Sequence, residues 1–117
     1  MATQLNIEDT HKGEPVIICL QAKNPDGTPL SFASTQEIIF TVSKTKTGDP
    51  FLQVSDAPEI VLANEVTSEW LLDIKASTLA GLQEGHTYYY NVWSRRNGDA
   101  WLQGFGRLKR LNSIEPV

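Results

Sequence analysis

The sequence has little of what chemistry usually needs. One cysteine, one methionine and two histidines stand in 117 residues. A single thiol closes no internal disulfide, so the fold does not depend on an oxidising compartment. That thiol, Cys19, lies in "PVIICLQA", whose apolar flanks predict a buried small hydrophobe rather than a reactive group. His11 and His86 are far apart, and neither has a second ligand at zinc-binding spacing. No apolar run approaches the ~20 residues of a membrane helix. The start "MATQLNIEDTHKGE" shows neither the basic nor the apolar region of a signal peptide, which predicts a chain made in a cytoplasm.

Catalytic signatures are missing as well. There is no G-x-S-x-G, and "GFGRL" lacks the third glycine and the following helix of a phosphate cradle. In a strand, Gly104 and Gly106 instead predict a bulge or a close backbone approach. Asp49, Asp56 and Glu59 lack calcium-loop spacing and read as solvated loop acids. No catalytic, metal-binding or cofactor-binding set emerges.

What is present is ordinary for a globular domain. Hydrophobic residues make up 40% and charged residues 21%, in a length that suits one domain with its own core. A net charge of -4 argues against a general nucleic-acid or membrane-surface binder. The charge is uneven. Residues 1–84 carry five Lys/Arg against twelve Asp/Glu, and residues 85–117 carry five against two.

Helical periodicity is nearly absent; short β-branched and aromatic runs recur between Gly, Pro, Asn and Asp. Strands are expected at Thr3–Ile7, Pro15–Ala22, Gln36–Thr45, Phe51–Val54, Glu59–Ala63, Ser68–Ala76, His86–Arg95 and Trp101–Leu111. Alternation sends Ile38, Phe40 and Val42 to one face of their strand, and Trp70, Leu72 and Ile74 to one face of theirs. "NPDGTP" is a turn that uses Gly27 for positive φ. Ser77 or Thr78 is expected to cap one helical turn, with Leu79 and Leu82 beneath it and Gly85 closing the loop. Asn97-Gly98 is a hairpin turn. The predicted fold is an all-β, antiparallel immunoglobulin/fibronectin-like sandwich of about seven strands. It forms one domain over 1–117, with residues 1–10 as an N-terminal arm and 112–117 as a tail. The spacing of Leu82, Gly85, Tyr88, Tyr90 and Val92 supports this, with Tyr88 suited to a corner hydrogen bond.

The feature that a core alone does not absorb is "GHTYYYNVWSRRNGDAWLQGFGRLKRL". Alternation puts Tyr88, Tyr90 and Val92 inside, and Tyr89, Asn91, Trp93 and Arg95 outside. Trp101 and Phe105 are expected beside the outer set, with Arg96 and Arg107 as basic neighbours. Tyr, Trp and Arg are enriched where proteins grip proteins, so Tyr89, Trp93, Arg95, Arg96, Trp101, Phe105 and Arg107 form the candidate partner surface. Plain cross-strand packing is the competing reading.

The chain also resembles a known group. "GEPVIICLQAKNPDGTPLSF", "IIFTVSKTKTGDPFL" and "SEWLLDIKASTLAGLQEGHTYYYNVWSRRNGDAWLQGFGRLKRL" are similar to the immunoglobulin-like virion domains of tailed bacteriophages. Such domains occur at the N-terminus of baseplate upper proteins and as short head or tail proteins. Asn91 stands where that pattern often has Asp. The resemblance implies a non-enzymatic structural part of a virion, without cofactors, assembled in the host cytoplasm. It would be a decoration, tail or baseplate protein that contacts other virion proteins and copies of itself in a symmetric assembly. The alternative is a carbohydrate-binding module that stacks sugar rings on Trp93, Trp101 and Tyr89.

Overall fold

The computed structural model describes residues 2–24, 26–29, 37–55, 58–96 and 98–111, and for Arg96 the backbone alone. The expected tail at 112–117, Asp56 and the Asn97 half of the hairpin turn lie outside the described residues. Nine strands follow one another: β1 (Thr3–Gln4), β2 (Ile7–His11), β3 (Val16–Gln21), β4 (Glu37–Ser43), β5 (Leu52–Val54), β6 (Ile60–Asn64), β7 (Glu69–Ile74), β8 (Thr87–Arg96) and β9 (Asp99–Leu111).

They form two sheets. The larger runs β1-β9-β8-β4-β5, with β2 also on β9; the smaller runs β3-β7-β6. This is an all-β sandwich of immunoglobulin-like strand order. Every pairing is antiparallel except those of β1 and β2, which both run parallel to β9. The single strand expected at Thr3–Ile7 is therefore two short pieces in one lane. Its register jumps between Ile7 and Thr10.

The core follows from alternation. Val16, Ile18 and Leu20 of β3, with Leu72 and Ile74 of β7, face Ile38, Phe40 and Val42 of β4 and Tyr88, Tyr90 and Val92 of β8. The rings of Phe40 and Tyr90 stack with centroids 5.7 Å apart. Each large apolar side chain buried here contributes about 1.5–3 kcal/mol before chain entropy is counted.

The connection after β7 is a run of turns, not the helical turn expected. Leu79 N reaches Lys75 O, but the next bonds are tighter: Ala80 N to Ser77 O and Leu82 N to Leu79 O. Leu79 and Leu82 are nevertheless buried as expected, since the segment closes one end of the sandwich. Gly85, at φ 78°, donates to Arg110 O. Tyr88 makes the expected corner: its hydroxyl accepts from Gln83 N at 3.0 Å. The Asn24–Pro29 turn is also present, with Gly27 at φ 90° donating to Asn24 O.

Cys19 is not buried. Strand alternation points Val16, Ile18 and Leu20 inward, so Ile17 and Cys19 of the same apolar run face outward, and Ile17 is 60% exposed. An unbroken apolar run carries no record of which half lies outside.

Candidate functional site

The β8-β9 ribbon carries the outer face of the larger sheet. Directly paired residues share a face. Tyr89 pairs with Arg107, Asn91 with Phe105, Trp93 with Leu102 and Arg95 with Ala100. On the other side, β4 places Ser43 beside Tyr89, Thr41 beside Asn91, Ile39 beside Trp93 and Glu37 beside Arg95. Tyr89, Trp93, Arg95, Phe105 and Arg107 therefore do share the outer face.

Trp101 does not join them. Between Val92 and Trp93 the ladder skips a residue: Val92 pairs with Gly104, but Trp93 pairs with Leu102. Gln103 is the extra residue of a β-bulge, and beyond it the two faces of β9 exchange. Trp101 consequently pairs with Ser94, on the face that holds Tyr88, Tyr90 and Val92. The bulge is fixed by its own side chain. Gln103 is 3% exposed, accepts from Lys23 N at 2.8 Å, and donates to Lys23 O and Ser94 Oγ, each at 3.0 Å. The side chain of Arg96 lies outside the described residues.

The outer face divides into two zones. Around Trp93 it is apolar, with Ile39 buried and Leu102 half-buried, and Arg95 is ion-paired with Glu37 at the rim. Four residues along β8, about 13 Å away at the usual strand rise, lies an open groove of about 200 Å³. Its lining includes Gln4, Asn6, Lys46, Tyr89, Asn91 and Phe105. Tyr89 and Phe105 are half-buried, and Lys46 Nζ stands 5.9 Å from the Tyr89 ring centroid, a cation–π distance.

The groove wall beyond β9 comes from the start of the chain. Gln4 pairs beside Phe105, Asn6 Oδ1 accepts from Arg107 N at 3.0 Å, and Glu8 holds the Arg107 guanidinium at 3.2 Å. Two features let the N-terminal lane approach. The Tyr90 hydroxyl donates to Leu5 O at 2.6 Å, and burial pushes this phenol up to about 12. Gly106 leaves room for Leu5; a Cβ there would stand 1.9 Å from the Leu5 carbonyl oxygen. A Cβ on Gly104 would meet nothing nearer than 3.5 Å. Of the two glycines, Gly106 marks the close backbone approach.

Compared with known protein families and with curated proteins, the chain matches none.

The groove is therefore read from its own chemistry. Three amides (Gln4, Asn6, Asn91) supply both donors and acceptors, two rings supply apolar faces, and the cations are already engaged. Such a set offers hydrogen bonds and ring contact, not a nucleophile or a proton-transfer pair. Arg95 and Arg107 are held by Glu37 and Glu8, so the basic character expected of this face is largely neutralised within the chain. Asn91 was on the outer face by alternation alone. Gln4, Asn6 and Lys46 were not foreseeable, because they arrive from segments distant in sequence. Among the described residues no three His, Cys, Asp or Glu stand together as a metal site, and no helix is long and apolar enough to cross a membrane.

Proposed function

We propose that this chain is a non-catalytic structural component of a tailed-bacteriophage particle, held in place by protein–protein contacts made through the outer face of the larger sheet. The reading rests on the resemblance of its β-strand motifs to phage virion domains. The observation that carries the surface is the groove beside Tyr89 and Phe105, where half-buried rings stand among amides, with Arg107 held by Glu8 and Lys46 over the Tyr89 ring. A partner docking there gains ring contact and hydrogen bonds, and the Arg107 charge at its edge is already held by Glu8. Repetition in a symmetric assembly multiplies modest single contacts.

The test is incorporation. A chain with Tyr89→Ala and Phe105→Ala is expected to fold, because both side chains lie outside the core, and to be depleted from purified particles of its source. Incorporation at the natural level would reject this face. A second reading, saccharide binding, is favoured by the same groove, since amides flanking an aromatic ring suit a sugar's hydroxyls and its apolar face. Binding on a glycan array that is lost in the same double variant would select it.

A further inference from the structure

The smaller sheet has an open side with an unusual composition. Ala22 N donates to Ser68 O, continuing the pairing of β3 with β7. By alternation the even-numbered residues of β3 bond to β7, and Ile17, Cys19 and Gln21 turn their N–H and C=O groups to the other side. Among the described residues no strand pairs with β3 on that side, because the N-terminal lane has gone to β9 of the other sheet; only beyond β3 does Gln103 of β9 take up the Lys23 N–H and C=O.

Exposed edges are ordinarily guarded by charge, proline, a bulge or shortness. The other edges of this sandwich follow that rule. β5 has three residues, the N-terminal lane carries Glu8 and Asp9, and β6 lies between Glu59 and Glu65. β3 has none of these guards. Val16–Ala22 contains no charge and no proline, its register against β7 is unbroken, and Ile17 and Cys19 are exposed beside the edge.

We propose that β3 pairs edge to edge with β3 of a second copy, antiparallel about a two-fold axis through Ile18, making one continuous six-stranded sheet. The sequence is self-complementary in that arrangement. Ile17 lies opposite Cys19 of the second copy, a large side chain against a small one, and the match occurs twice. Both pairs exchange main-chain N–H···O=C bonds. At the end of the seam Glu14 falls opposite the uncharged Ala22 of the second copy, so no like charges face each other there. The same operation on β6 would bring Glu59 toward Glu65 of its mate. Charge therefore favours the β3 edge over the β6 edge, and the doubled Ile17–Cys19 match selects another β3 as occupant. This inference stands independently of the proposed function.

Sedimentation equilibrium across the micromolar range is expected to give a species of twice the 13.0 kDa chain mass. Ile17→Lys places like charges in the seam and is expected to weaken association about tenfold or more. Cys19→Lys serves as the second variant, and thermal unfolding confirms that each stays folded. Directly opposite hydrogen-bonded residues have Cα atoms about 5.5 Å apart, within disulfide reach. Ile17→Cys is therefore expected to cross-link to Cys19 of the second copy on mild oxidation. A chain that stays monomeric, or a dimer that both lysine variants leave intact, overturns the proposal. A dimer in which Ile17→Cys fails to cross-link overturns the two-fold at Ile18.

Discussion

Gly106 shows how one absent side chain can shape a site. Its missing Cβ admits the Leu5 carbonyl, and that approach brings Gln4 and Asn6 to the groove. Gly106→Ala is expected to push the N-terminal lane off β9 and cost about 2 kcal/mol or more, a main-chain collision that no rotamer relieves. Gly104→Ala, with only ordinary contacts around it, is expected to stay within about 0.5 kcal/mol of the natural chain. Urea unfolding measures both, and hydrogen exchange at Gln4 and Leu5 reports whether the lane has come away. The sequence marked both glycines alike, because the difference depends on a backbone a hundred residues away. Cys19 illustrates the opposite limit: in a run that is apolar on both faces, composition cannot assign sides.

At the scale of elements, β9 organises the molecule. It pairs with β8, β1 and β2, and its bulge decides which aromatic residues meet. The hairpin, the inward set Tyr88, Tyr90 and Val92, and the corner hydrogen bond of Tyr88 were all legible, since each depends on local alternation and spacing. The bulge was signalled by Gly104 beside it, but its exact place and its consequence for Trp101 were not: nothing near Gln103 announces that Lys23 will supply its bonds. Near its end β9 also carries Arg110, only 1% exposed. Its guanidinium donates to Thr10 Oγ1 at 3.0 Å and to Glu14 O, tying the β2–β3 connection to β9. Burial pulls this arginine below its ordinary pKa, and the Glu14 carboxylate opposes the shift. Arg110→Ala removes charge-assisted bonds and leaves an acceptor unpaired, an expected loss of about 2–4 kcal/mol. Chemical denaturation checks it, with protection at residues 10–14 falling first.

For the whole molecule, a two-sheet fold was readable because so many short alternating runs have no other way to bury their faces. Which sheet the first residues join was not readable, since that choice is settled by contacts with the last strand. Alkaline stability tests that junction. The folded-state pKa of Tyr90, about 12, lies above the ordinary 10.0, so the folded chain holds this proton more tightly than the unfolded one. Stability is therefore intact below pH 10 and falls as pH rises toward 12. Tyr90→Phe is expected to be less stable at neutral pH and to show a weaker decline over that interval. Melting temperatures measured across it decide the matter.

The parallel lane of β1 and β2 also has a consequence in time. Thr3 sits beside Gly104 and Ile7 beside Leu108, so this lane finds its place only after a strand about a hundred positions later in the chain has been made. Closing so long a loop is slow relative to forming a local hairpin. Until β9 has emerged the β1–β2 segment is thus unmoored, and the groove wall that Gln4 and Asn6 supply has nothing to stand against.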